Sequence, residues 1–377
     1  MIPAAHAVLD LSAPRHNLQR VRDHVPGSKV MAVIKANGYG HGLLRIARAL
    51  RGVDAFAVAR VEEGLGLREA GIIEPIAVLE GFVCADELAL VLQHHLEPVI
   101  HSMYQVEIIE ASGQKSSLSV WLKLDSGMNR LGFGEHDFLE AHRRLSGCSQ
   151  VEKPIRLMTH LAKADELDDP ATTNQLRLFR ALTEGLFGER SIANSAGILG
   201  WPEARADWVR PGIMLLGASP FPHKTGADHD LHTVMTLQSR LIAVRELEAG
   251  VAVGYGGQWV APRNIRLGVI AIGYGDGYPR SIGNDAQVLV RDRRVPVVGR
   301  VSMDMLTVDL SSCPDAQIGD PVVLWGDQLR IEEVAAFADT IPYTLLCAVT
   351  QRVMIVEGSI VRRRPGAAGS QQYQRHG

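Results

Sequence analysis

Residues 29–42, KVMAVIKANGYGHG, pass from an apolar run, Val30 to Ile34, through a single lysine, Lys35, into a loop spaced by Gly38, Gly40 and Gly42. The run reads as a buried strand. The glycines let the backbone approach a ligand closely at the strand's end. Directly afterwards Leu43, Leu44, Ile46, Ala47 and Leu50 fall at helical spacing, so the segment is one strand followed by one amphipathic helix. The same alternation continues outward. Further apolar runs occur at Ala55 to Ala59, Ile76 to Leu79, Glu97 to Ile100, Ser119 to Leu124, Ile155 to Thr159, Ser191 to Ala193, and a short one ends near Arg210. Roughly eight such pairs are the number that closes a β/α barrel, with a doubly wound sheet as the rival α/β arrangement.

After about residue 231 the texture changes to short strands punctuated by Gly, Pro and Asp. They are Leu237 to Val244, Arg266 to Ile272, Gln287 to Val290, Val295 to Val298, Met305 to Leu310 and Val322 to Trp325. The expected organisation is therefore an N-terminal (β/α)8 barrel over 1–230 and a C-terminal mostly-β domain over 231–364. Residues 365–377 have almost no apolar content and read as a disordered tail, and Arg362, Arg363 and Arg364 just before them read as solvated. A chain of 377 residues suits two domains, each with its own core.

A net charge of −3, from 39 Lys+Arg against 42 Asp+Glu, gives no electrostatic reason to expect nucleic acid or an anionic membrane as partner. A small-molecule substrate fits better. Cys84, Cys148, Cys313 and Cys347 are scattered without metal-binding spacing, so they read as reduced thiols and no metal site is expected. With no export signal at the N-terminus and no long apolar run, a cytoplasmic protein is expected.

A lysine at a strand end is commonly just solvated. The P-loop alternative fails because this lysine precedes its glycines. A third reading is a lysine that forms a Schiff base, which needs a partly desolvated pocket to lower its pKa, and a barrel mouth supplies one. KANGYGHG resembles the cofactor-lysine signature of the alanine racemase family. Further segments similar to that family follow in the same order: KLDSGMNRLGF, THLAKADE, NSAG, RPGIMLLG, VGYGG, IGYGDGY, GRVSMDM and IPY.

The resemblance implies a homodimeric pyridoxal 5'-phosphate enzyme that interconverts L- and D-alanine and supplies D-alanine for peptidoglycan. It implies that Lys35 carries the cofactor, that His160 packs on the pyridine ring, and that Arg210 faces the ring nitrogen. Phosphate binding falls by the same resemblance to Ser195, to the backbone of Gly212 and Ile213, and to the hydroxyls of Tyr39 and Tyr343. Arg210 cannot give up its proton, so the nitrogen facing it should stay unprotonated and the ring should be a weaker electron sink, which favours racemisation over transamination. A structural Arg210 paired with a carboxylate such as Asp207 is the competing reading.

Inverting a stereocentre takes a proton from one face and returns one to the other, so two acid–base groups are the simplest solution. Lys35 serves one face, and the resemblance gives the other to Tyr255 from the partner subunit. It gives the substrate carboxylate to Arg130 and to the backbone of Met303, places Tyr274 and Asp304 at the mouth, and marks Lys123 as a carbamylated lysine, against which stands an outward-facing one. Ser191 departs from the pattern, since some members have a His there that supports the ring-facing Arg. Amino-acid decarboxylases, racemases of serine or of basic amino acids, and barrel proteins that carry the cofactor without turnover are the alternatives.

Overall fold

The computed structural model describes residues 3–113 and 116–358, so Arg362 to Arg364 and the 365–377 tail lie outside the described residues. Strand β1 (His6–Leu9) and a helix, Ala13–His24, lead into eight strands. These are β2 (Lys29–Val33), β3 (Ala55–Val58), β4 (Ile76–Val78), β5 (Glu97–Ile100), β6 (Trp121–Lys123), β7 (Arg156–Met158), β8 (Arg190–Ser191) and β9 (Trp208–Val209). Each pairs in parallel with the next, and β9 returns to β2 through Lys29 with Trp208 and Val30 with Val209. The barrel is closed, which removes the doubly wound alternative. Strands such as β3 are buried at every residue, as helices outside and packed side chains inside require.

At the N-terminal ends of the strands the barrel is finished by ion pairs. Arg156 bonds Glu97 at 2.9 Å, Lys29 bonds Glu189 at 2.6 Å, and the Trp208 indole donates to Glu189 at 2.7 Å. The opposite mouth is left for the site.

The second part contributes β10 (Met235–Leu247), β11 (Ala252–Val253), β12 (Trp259–Val260), β13 (Ile265–Ile270), β14 (Gln287–Val290), β15 (Arg293–Pro296), β16 (Leu306–Asp309), β17 (Pro321–Trp325) and β18 (Met354–Glu357). The long β10 is the spine, pairing antiparallel with β1, β13 and β17, while β18 lies parallel to β1. Thus β1, counted by sequence with residues 1–230, hydrogen-bonds within the C-terminal sheet. Its alternation explains this: Ala7 and Leu9 are wholly buried in the second core with Leu237, Tyr278 and Trp325.

Two seven-residue helices not foreseen from sequence, Ile331–Phe337 and Pro342–Ala348, also belong to this part. The first joins the two parts, because one Glu332 oxygen accepts the Ser219 and Gly226 N–H groups, both at 2.7 Å. Buried Asn17 ties the first helix to the connecting segment, donating to the Leu215 and His232 carbonyls at 3.0 and 2.9 Å.

Candidate active site

Lys35 leaves the end of β2, and the four residues after it, Ala36, Asn37, Gly38 and Tyr39, all take left-handed backbone angles, with φ of 53°, 55°, 62° and 50°. For residues with side chains this costs about 1–2 kcal/mol each. The turn carries Tyr39 into the barrel mouth. There its hydroxyl lies so near Gly212 that a Cβ at 212 would come within 2.6 Å of it. Gly40 closes the loop against the C-terminal part, where a Cβ would meet the Leu346 carbonyl at 2.2 Å. The loop thus packs on helix Pro342–Ala348, which delivers Tyr343 to the same mouth, its ring 5.9 Å from that of Tyr39.

A cavity of about 370 Å³ opens here, and nine residues nominated from sequence line it: Lys35, Tyr39, Lys123, Arg130, His160, Ser195, Arg210, Gly212 and Tyr343. Its volume is that of a small-molecule site. Four of its side chains are cations, against one carboxylate, Glu80, so the cavity favours an anionic occupant. Burial, then the nearby Arg130, lowers the Lys35 pKa, while burial, then Arg210 and Arg130, brings Lys123 down to about 8. Lys123 faces inward and is 8% exposed.

Arg210 is held entirely by neutral acceptors. It donates to Ser191 Oγ at 2.7 Å and to the carbonyls of Thr159 at 2.6 Å and Ile192 at 3.3 Å. Asp207 is not its partner; that carboxylate accepts the Arg190 N–H at 2.7 Å. Ser191 therefore supports Arg210 with a hydroxyl. Burial lowers the guanidinium pKa to about 10, which leaves it charged at neutral pH. His160 Nδ1 lies 3.3 Å from Arg210 Nη2 and must accept, since arginine has no lone pair to offer. Burial and the adjacent Arg210 hold the His160 pKa well below its usual value, so the ring is neutral.

On the far side Ser195 Oγ accepts the Gly212 N–H at 3.0 Å, so a hydroxyl and the first N–H groups of the turn Ile213–Leu216 converge beside Tyr39. Burial raises the pKa of both Tyr39 and Tyr343, leaving protonated donors.

Arg130 owes its place to a residue that sequence reading passed over. The Asp125 carboxylate accepts the N–H groups of Gly127, Met128, Asn129 and Arg130 at 2.9–3.1 Å, folding the loop back so that Phe133 N–H reaches the Lys123 carbonyl at 2.9 Å. The signal was present, because Asp-Ser-Gly is a turn-forming sequence. Arg352, also passed over, bonds Asp304 at 2.7 Å and Asp276 at 3.3 Å.

Tyr255, Met303 and Tyr274 are not among the residues that line the cavity. Tyr255, on the turn between β11 and β12, is 67% exposed, Met303 is 52% exposed and Tyr274 39%. Ile213 is buried just behind Gly212. Among the described residues one His/acid cluster has metal-ligand spacing: His16, Asp230 and His232. Its two imidazoles stack 3.5 Å apart at 7°, so no single ion can lie in both ring planes, and Arg20 holds Asp230 at 3.3 Å.

Residues 9–220 match the model of the alanine racemase N-terminal domain and 234–357 that of the alanine racemase C-terminal domain. The chain is 51% identical over 352 residues to the alanine racemase of Vibrio cholerae, covering 93% of this chain and 97% of that one. It is 52% identical over 344 residues to that of Pseudomonas taetrolens, covering 91% and 96%. Among solved structures, the biosynthetic alanine racemase of Pseudomonas aeruginosa superposes with a TM-score of 0.92 at 44% identity, over 95% of this chain and all of that one. The Bartonella henselae alanine racemase with covalently bound pyridoxal phosphate superposes with a TM-score of 0.85 at 31% identity, over 94% and 99%. With both domains matched, a closed barrel beside a β domain, and this identity over nearly the whole length, the chain belongs to the alanine racemase family, enzymes that interconvert the two mirror forms of alanine.

Proposed function

We propose that this racemase is a cytoplasmic homodimer that holds pyridoxal 5'-phosphate on Lys35, works by two bases, and supplies D-alanine for peptidoglycan. One observation carries the reading. A single chain gathers Lys35, Arg130 and Arg210 in one cation-rich cavity yet leaves Tyr255 and Met303 exposed outside its lining. A second copy of the chain would complete the site by bringing its Tyr255 and Met303 to the cavity, and would cover exposed apolar groups that include Met305. No helix among the described residues is long and apolar enough to cross a membrane.

The residues present fit the cofactor. The hydroxyls of Tyr39, Ser195 and Tyr343 with the N–H groups of Gly212 and Ile213 would take the phosphate, in a cradle that a side chain at 212 would fill. His160, neutral, would pack on the ring, and Arg210, charged, would face its nitrogen. When bound, the cofactor supplies an electron sink for the pair left on the α-carbon as its proton departs.

Arg130 binds the substrate carboxylate by a charge-assisted pair, together with the Met303 N–H of the second copy. In the L-to-D direction Tyr255 Oη takes the α-proton from one face and Lys35 Nζ delivers a proton to the other. The reverse direction exchanges the roles. Burial, then the nearby Arg130, lowers the Lys35 pKa, which makes its ammonium a readier proton donor than a solvated lysine's.

Lys123, held near 8, carries an amine partly unprotonated under physiological conditions and so open to carbamylation; the carbamate would turn a third cation beside Arg130 and Arg210 into an anion that pairs with them. With 13C-bicarbonate the enzyme should show a carbamate carbon resonance that Lys123→Met lacks. Its absence from the native enzyme would leave Lys123 an ammonium.

Function is tested by incubating the enzyme with single enantiomers of alanine, serine, lysine and arginine and separating the products by chiral chromatography. L- and D-alanine should each reach a one-to-one mixture with the highest kcat/KM. Faster turnover of serine or a basic amino acid, or release of carbon dioxide, would overturn the assignment.

A further inference from the structure

We propose that Glu63 is a positioning residue for Lys35, its carboxylate pinning the left-handed turn after the lysine to the neighbouring strand of the barrel. The inference rests on Lys35 being the cofactor lysine. Glu63 is the third residue of helix Val61–Glu69, directly after β3. One carboxylate oxygen caps that helix in the ordinary way, accepting the N–H groups of Ala59 at 2.9 Å and Arg60 at 3.3 Å. The other reaches across to the N–H of Ala36 at 2.7 Å. A single carboxylate thus links the segments that leave β2 and β3, in which Lys35 and Ala59 both line the cavity.

The turn needs such a link. Ala36, Asn37 and Tyr39 carry side chains in left-handed backbone, a conformation that persists only where surrounding bonds enforce it. The far end is held by Asn37, whose carbonyl accepts the Gly42 N–H at 2.8 Å and whose side-chain oxygen accepts that of Leu43 at 2.9 Å. At the near end, beside Lys35, the side chain bonded to the backbone is that of Glu63. A lysine that detaches and reattaches in each turnover must return its amine to one place. A charge-assisted bond on the adjoining peptide, of the strong class, confines where its backbone can point.

Two variants separate the clamp from the cap. Glu63→Gln weakens both. Glu63→Asp keeps a carboxylate able to cap Val61–Glu69 but is one methylene too short to reach Ala36. In the holoenzyme both should lower kcat by about 10- to 100-fold, the scale of an ångström-sized misplacement, with alanine KM changed less than about threefold. Hydrogen exchange across residues 36–42 should accelerate in both, while in Glu63→Asp the 61–69 helix stays protected. Adding Ala36→Gly to Glu63→Asp should recover part of the lost kcat, because glycine takes the left-handed conformation without steric penalty.

Unchanged kcat, unchanged exchange at 36–42, or a loss confined to KM in Glu63→Asp would overturn the proposal. So would failure of Ala36→Gly to restore any activity. Should Glu63→Gln not fold, Glu63→Asp with and without Ala36→Gly carries the test. Borohydride reduction and peptide mapping of each variant keeps the two claims apart. A pyridoxyl group on another lysine refutes the Lys35 reading, whereas a label on Lys35 with unaltered exchange refutes the role of Glu63.

Discussion

Lys35→Ala should reduce racemisation by at least ~10⁴-fold in both directions, because on the proposed mechanism the substitution removes the cofactor's attachment and one of the two proton-transfer groups together. The fold should survive the change. Lys35 lies at a barrel mouth, the direction of its pKa shift means that burial penalises its charged form, and no ion pair of the described structure depends on it. Circular dichroism and a melting curve close to the parent's would show that activity, not structure, was lost. In the parent enzyme, borohydride reduction should leave the pyridoxyl group on Lys35. A label on Lys123 or Lys163 instead, with Lys35→Ala still active, would move the chemistry elsewhere.

Tyr255→Phe should lower turnover by roughly 10²–10⁴-fold, the range for loss of a general acid–base group, and should do so asymmetrically. In deuterated solvent the variant should still exchange the α-hydrogen of D-alanine, since Lys35 can remove and return a proton on its own face. L-alanine should lose exchange almost entirely. Equal exchange of both enantiomers would point to one mobile base or a bound water and leave Tyr255 as the turn residue its neighbours Gly254, Gly256 and Gly257 suggest.

The barrel was legible because its strands are buried on both faces and so read as unbroken apolar runs, such as AFAV at 55–58 and VMAV at 30–33, each followed by helical spacing. Strands β1 and β18 escaped notice for the opposite reason. Both are four residues long, β18 is partly or fully exposed at each position, and their pairing joins residues about 350 apart in the chain, which no local pattern can announce. The helices Ile331–Phe337 and Pro342–Ala348 have only two turns each, too few for periodicity to stand out.

At the site, the residues that line the cavity were legible by type and motif, whereas those that hold them were not. Glu63 looks like any acidic residue in a helix's first turn, and its bond to Ala36 spans 27 positions. Arg352 likewise acts on carboxylates that only the folded chain brings near, whereas Asp125 bonds the N–H groups of the turn directly after it, a local signal the sequence did carry. Ser191 was legible as a departure, but its hydrogen bond to Arg210 depends on the adjacency of β8 and β9 in the closed barrel. The exposure of Tyr255 is the clearest gain from the structure, since it leaves the residue proposed as the second base outside the cavity lining of its own chain.

The claim that each catalytic centre is built from two chains is tested most directly by mixing inactive subunits. Lys35→Ala and Tyr255→Phe chains are unfolded or dissociated together, reassociated in equal amounts, and the hybrid fraction is verified by mass. In a two-fold dimer with shared sites, each hybrid has one site with both substitutions and one with neither, so the mixture should recover about a quarter of the parent's activity per chain. Neither homodimer alone should show it. Verified hybrids that stay as inactive as the two homodimers would contradict the account and return both bases to a single chain.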